Sequence, residues 1–341
     1  MRAKLRFLKF IFFIFFISIS LRFAQADIKI LGVGDILIHQ PLRRQGLDRP
    51  EGFLSLWADL LPDLKNAHIT YGNLEGPMAD HLAPQSVQYS FNFPSRLAGD
   101  LVDSGFDIVS TANNHSLDRG IEGLWETIRV LNDSGLSHVG TRSDLNSSEG
   151  FYKILDVEGV RTAWIACTDV VNFSQSPYVA DCGQDQEYLG ALIKEMKLKM
   201  KADLVIVIPH WGEEKRVDPT ERQKSLARYF FRKGADLIMG AHPHVLQPAE
   251  FVTLEDELGE SKKRLVFYSL GNFVSNQLYY GLPQKTSVLA YTTFKRKDEL
   301  LELSSYEVVP VVMSASPYKL TQALRNSDEY KFVQSLNLIV R

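Results

Sequence analysis

Short apolar runs rich in valine and isoleucine alternate along this chain with stretches whose apolar positions recur every three or four residues. The runs at 28–33, 68–71, 107–111, 162–166, 204–208, 236–239 and 265–268 have the length and composition of buried strands. Between them the pattern predicts amphipathic helices over 53–65, from Ser95 to Gly105, over 120–134 and over 219–233. Ser95 suits an N-cap, Gly105, Gly135 and Gly234 suit the residue after a helix, and Pro219 suits a first turn. Strands alternating with helices predict an α/β fold. After Gly271 two longer β-rich runs, 287–294 and 301–312, predict an antiparallel portion of the core. No repeat, low-complexity linker or internal apolar span divides the chain. Residues 27–315 therefore read as one domain, with 316–341 as a C-terminal tail expected to pack as a terminal helix.

The first 26 residues follow a different pattern. Arg2, Lys4, Arg6 and Lys9 make a basic start, an apolar run follows to Leu21, and Ala24-Gln25-Ala26 is a small-x-small exit. These are the three parts of a secretory signal peptide, cleaved after Ala26. The alternative is an uncleaved membrane anchor, although the run is shorter than the roughly 20 residues that span a bilayer. Either reading places the domain outside the cytoplasm, on the periplasmic or extracellular face of the envelope. No cysteine follows the run, which argues against a lipoprotein.

Removing that segment changes the charge. It carries five of the 38 basic residues and none of the 41 acidic ones, so the mature chain has a net charge of −8. Nucleic-acid partners need a positive field and are not expected. Cys167 and Cys182 are the only cysteines. In an oxidising compartment they could pair, and two buried free thiols are nearly as good a reading.

Polar residues cluster immediately after the predicted strands: Gly34-Asp35, Gly72-Asn73-Leu74-Glu75, Asn113-Asn114-His115 with Asp118, His210-Trp211-Gly212-Glu213, His242-Pro243-His244 and Gly271-Asn272. In open α/β sheets ligands bind at the carboxyl ends of strands, so these side chains are expected around one crevice. Carboxylate, amide carbonyl and neutral imidazole are metal ligands, and the mixed N/O set suits Mn, Fe or Zn. Asp35, Glu75, Asn114, His210, His242 and His244 make six ligands, enough for two divalent ions sharing a carboxylate. In an extended His-x-His segment both imidazoles share a face. His115 remains as a proton donor, with Asp118 to orient it. Asn73, Asn113, Trp211 and Asn272 are candidates for holding substrate. Singly, each of these residues is more often a cap, a turn or packing, and His39, His68, His81 and His138 are read that way. Only the succession at strand ends points to a metal site.

In that order the motifs, completed by Gly120, Val245 with Gln247, and Ser269-Leu270-Gly271-Asn272-Phe273, resemble the CapA capsule-biosynthesis family of the calcineurin-like metallophosphoesterase superfamily. The resemblance covers about residues 28–310. It implies a four-layer αββα sandwich with a metal site at its edge, the six residues above as ligands, His115 as catalytic acid, and a place in poly-γ-glutamate capsule production. The expected partners are an anionic polymer or phosphoester substrate and a membrane-bound polymer synthesis or export complex. Two positions depart from the superfamily pattern. Leu37 stands where a histidine follows the first aspartate, and Asn73 stands where the second motif carries aspartate. A scaffold or polymer-binding subunit without catalysis is the alternative reading.

Overall fold

In a computed structural model, residues 27–82, 90–172, 174–297 and 300–341 are described. The N-terminal segment read as a signal peptide lies outside them. Among the described residues no helix is long and apolar enough to cross a membrane.

The chain builds two sheets in three passes. β1 (Ile28–Ile36), β2 (Ile69–Leu74), β3 (Ile108–Ser110) and β4 (Ser137–Val139) start the first sheet as parallel neighbours. β5 (Tyr152–Val157), β6 (Val160–Thr168), β7 (Leu204–His210), β8 (Leu237–Met239), β9 (Ala249–Glu255) and β10 (Ser261–Phe267) form the second. β11 (Asn272–Val274), β12 (Thr286–Lys297), β13 (Leu300–Ser314) and β14 (Lys319–Gln322) then return to the first sheet. Its order is β14-β13-β12-β1-β2-β3-β4, with β11 paired to β1.

Alternation along the central strands produces the layers. Ile28 and Ile30 of β1 and Leu204, Ile206 and Ile208 of β7 meet in the core between the sheets. Leu31 and Val33 face the opposite way, onto the helices Gln40–Asp48 and Arg96–Ser104. Val205 and Val207 face the helices Gln186–Leu198 and Glu221–Lys233. The result is the expected four-layer α/β sandwich.

Several local expectations change. The helix expected over 53–65 is broken into the 3-10 turns Gly52–Leu56 and Ala58–Leu60 and one α-turn, Leu61–Leu64. Trp57, at φ −138° and ψ 26°, interrupts the helical path, and its indole donates to Ser104 Oγ at 2.7 Å inside the core. Tertiary burial of this side chain outweighs helix periodicity. Ser95 does begin a helix, but its hydroxyl bonds the Asp80 carboxylate instead of capping. The helix expected from Pro219 starts at Glu221. Thr220 caps it in a reciprocal pair with Gln223, so Pro219 lies before the cap. The tail expected to be one helix adds β14 to the sheet edge before the helix Asp328–Ser335. Cys167 and Cys182 form a disulfide that closes the loop after β6.

Candidate metal centre

Sheet register gathers the first two motifs and the last. Asp35 on β1 is the Cα partner of Asn73 on β2 and of Asn272 on β11. The approach is close enough to require glycine: a Cβ on Gly34 would stand 1.9 Å from Gly271 O, and one on Gly240 would stand 2.2 Å from Tyr268 O. On the facing sheet, His210 ends β7 and pairs with Thr168 and Ala241. The carboxyl ends of the two parallel regions thus supply both sides of one cluster.

Asn73 Nδ2 donates to Asp35 Oδ1 at 2.9 Å and lies 3.3 Å from His210 Nδ1. His210 Nε2 lies 2.9 Å from Asn114 Oδ1, 3.1 Å from His242 Nδ1 and 3.6 Å from Glu75 Oε1. His244 Nδ1 lies 3.0 Å from both Asp35 Oδ2 and Asn272 Oδ1, and its Nε2 lies 3.6 Å from Glu75 Oε1. All six sequence-derived ligands are buried here. Two ligand-sized groups overlap at Glu75: Glu75 with His242 and His244, and Asp35 with Glu75 and His210. His39 belongs to neither. Its Nδ1 instead meets Leu37 O and the Asn276 amide.

His242 and His244 do not lie in an extended segment. Both have positive φ, 100° and 58°. Non-glycine residues pay roughly 1–3 kcal/mol each for such conformations. It is this strained turn, not strand alternation, that brings both imidazoles to the cluster.

Burial and charge are arranged as a cation site would require. Burial drives the Glu75 carboxyl well above the usual carboxylate range, and both its oxygens lack a hydrogen-bond partner. Burial, then the neighbouring imidazoles, pushes His210 well below its ordinary value and His242 down to about 3. Burial opposes charge on His244 too, but the Glu75 and Asp35 carboxylates outweigh it and lift the ring to about 9. Neutral His210 and His242 are in the form that binds metal. A buried carboxyl group with two orphaned oxygens among three imidazoles fits a divalent cation.

His115 stands on the turn after β3. Its Nδ1 lies 2.9 Å from Asp118 Oδ2, which also accepts the Phe91 amide at 2.6 Å. The Phe91 ring packs edge-on against the imidazole with centroids 4.6 Å apart. Asn113 donates to Leu74 O at 2.8 Å and accepts the His115 amide at 3.1 Å, so its side chain ties the turn to the end of β2. Trp211 is not available to substrate. It is fully buried in the core beneath the second sheet and donates to Tyr268 O. Asn172, on the disulfide loop, was not singled out from sequence. Its Oδ1 accepts from Asn114 Nδ2 at 3.2 Å. The signal was there, since the loop follows β6 as the other polar clusters follow their strands.

The family profile described as bacterial capsule synthesis protein PGA_cap matches residues 29–277. The chain belongs to this family. The PGA biosynthesis protein CapA of Bacillus subtilis is 31% identical over 254 residues, covering 72% of this chain and 62% of that one. The capsule biosynthesis protein CapA of Bacillus anthracis is 30% identical over 265 residues, covering 72% and 59%. The chain thus spans about three-fifths of the length of these curated relatives. Among solved structures, a novel phosphatase from Mycoplasma pneumoniae overlays with a TM-score of 0.52 at 13% identity, covering 84% of this chain and 94% of that one. That likeness is one of fold. Every motif of the candidate centre lies inside the matched region of the capsule synthesis family.

Proposed function

We propose that this chain is an exported, metal-dependent hydrolase that cleaves a phosphoester or related bond during assembly or release of an anionic surface polymer. The observation that carries the reading is Glu75, fully buried between His210 and His244 with both carboxylate oxygens unpartnered. Asp35, Glu75, Asn114, His210, His242 and His244 would hold one or two divalent ions of the Mn, Fe or Zn type. Such ions polarise a phosphoryl oxygen and acidify water. The protein itself excludes solvent around these residues and orients their donors. Asp35 Oδ2 fixes the His244 ring through Nδ1. Asp118 fixes His115, whose Nε2 then serves as the atom that passes a proton to the leaving oxygen. Export is supported by the composition of residues 1–26 and by the Cys167–Cys182 disulfide, a bond that persists in oxidising compartments. The polymer context is supported by the names of the two Bacillus relatives.

The test is elemental analysis of the purified mature domain for Mn, Fe and Zn, with turnover of bis(p-nitrophenyl) phosphate before and after His115→Ala and His242→Ala. The reading requires stoichiometric metal, loss of metal in His242→Ala, and loss of turnover with metal retained in His115→Ala. Metal-free, inactive protein would overturn it. A second reading, a polymer-binding or scaffold subunit of a membrane-bound complex, is favoured by one observation. Leu37, two residues beyond Asp35, is buried in the apolar core and supplies no ligand. Metal without turnover, and wild-type polymer production by His115→Ala cells, would select it.

A further inference from the structure

A cleft of about 440 Å³ opens beside the metal cluster. One wall is the turn that carries the catalytic machinery, including Asn113, Asn114, Ser116 and Leu117. The other is the disulfide-closed loop after β6, with its continuation to Asp185. The cleft adjoins the cluster through Asn114, which faces His210 with Oδ1 and Asn172 with Nδ2. Any substrate whose scissile group sits at the metal ligands therefore has this cleft as a place for its flanking segment.

The lining is distinctive in charge. Among the described residues it includes no lysine, arginine or histidine. It offers the amides of Asn172, Gln175 and Gln184, several hydroxyls, and the carboxylates of Asp181 and Asp185. Asp181 already accepts the Gly183 and Gln184 amides and the Gln175 side chain, so its charge is held in place by the loop. Two cations border the lining: Arg222 pairs with Asp169 and also acts on Asp181, and the Arg142 guanidinium donates to Pro177 O and Ser147 O. An anionic segment here would face two carboxylates, and the bordering cations are already engaged by protein groups. Carboxylate and amide oxygens instead ask the ligand for many hydrogen-bond donors. Leu117, Val171, Pro177 and Val179 between the polar groups ask for apolar C–H faces as well. A ring bearing several hydroxyls meets both demands, whereas an extended peptide supplies about one donor per residue.

We propose that this cleft is a saccharide subsite, so that the bond cleaved at the metal centre joins its phosphoryl or related group to an uncharged sugar and not to the anionic chain. The assignment rests on the hydrolase reading for its catalytic meaning, but binding to the cleft is measurable without turnover. The experiment titrates zinc-loaded protein with N,N′,N″-triacetylchitotriose and, separately, with triglutamate. Binding is followed by the side-chain amide NMR signals of Asn172, Gln175 and Gln184. The expected result is millimolar binding of the trisaccharide with shifts at these three amides. Gln184→Trp, which fills the cleft, should weaken it at least tenfold with zinc content unchanged, and triglutamate should leave the three signals in place. Triglutamate shifting these amides as strongly as the trisaccharide, or neither probe shifting them at 10 mM, overturns the proposal. Bis(p-nitrophenyl) phosphate turnover on the same sample reports separately on the hydrolase reading.

Discussion

Asp118 holds His115 through a 2.9 Å contact between Oδ2 and Nδ1, and the same oxygen accepts the Phe91 amide. The ring is thereby fixed in orientation, with Nδ1–H donating to Asp118 and Nε2 left to carry the proton that is passed on. Asp118→Asn should lower kcat about tenfold with metal content unchanged, and His115→Ala should lower it about 10²–10⁴-fold. Steady-state kinetics paired with elemental analysis checks both. Equal metal loss in the two variants would place these residues in metal retention instead.

Glu75 makes the metal-free protein less stable than its fold allows, because a fully buried carboxyl group has no hydrogen-bond partner on either oxygen. Glu75→Gln should raise the melting temperature of chelator-treated protein, by roughly 1–2 kcal/mol of stability. The same change should abolish most of the stabilisation that added Zn or Mn gives the wild type. Thermal melts with and without metal show whether the two effects have opposite signs.

Gly34 allows β1 to pass against the backbone of Gly271. Gly34→Ala would drive a methyl group into Gly271 O. Its neighbour Asp35 is registered on Asn272 by the same approach. The variant should lose roughly 2–3 kcal/mol in urea unfolding. A folded fraction should also bind metal more weakly.

The Cys167–Cys182 bond closes a loop of sequence separation 15. Replacing both residues with serine should cost about 3 kcal/mol by the chain-entropy estimate. Because the loop carries Asn172, which holds the Asn114 amide, metal affinity should fall too. Unfolding curves and metal titrations on the double variant test the two losses separately.

His138 on β4 is held down to about 4 by burial and by the nearby Lys153 charge. Between pH 6.5 and 4 the unfolded chain binds a proton here that the folded chain refuses. Stability therefore falls as pH drops through this window and levels off below it, by up to about 3 kcal/mol from this group. His138→Gln should flatten that part of the stability curve relative to wild type, as read from urea unfolding at pH 7, 5.5 and 4.5.

The positions of nine of the fourteen strands among the described residues, the polar clusters at strand ends and all six candidate ligands were legible in the sequence, whereas β4, β5, β9, β11 and β14, which are short or half-exposed edge pieces, were not. Strand burial writes itself as apolar runs, and a chain reversing after a strand leaves glycine and polar residues at the turn. What the sequence left open were features that depend on distant partners. Trp57 breaks its helix to reach Ser104, and Trp211, at a strand end like the ligands, turns into the core toward Tyr268. His242 and His244 reach the cluster through positive φ, which local preference disfavours and only the surrounding packing can hold. Pairing of Cys167 with Cys182, and the placing of Asn172 against Asn114, needed the loop after β6 to fold back on the turn after β3. Periodicity and turn chemistry are local properties of the chain and so determine which residues face a crevice. Which of them meet, and which are diverted into the core, was decided by contacts between segments far apart in sequence, whose energies no local pattern records.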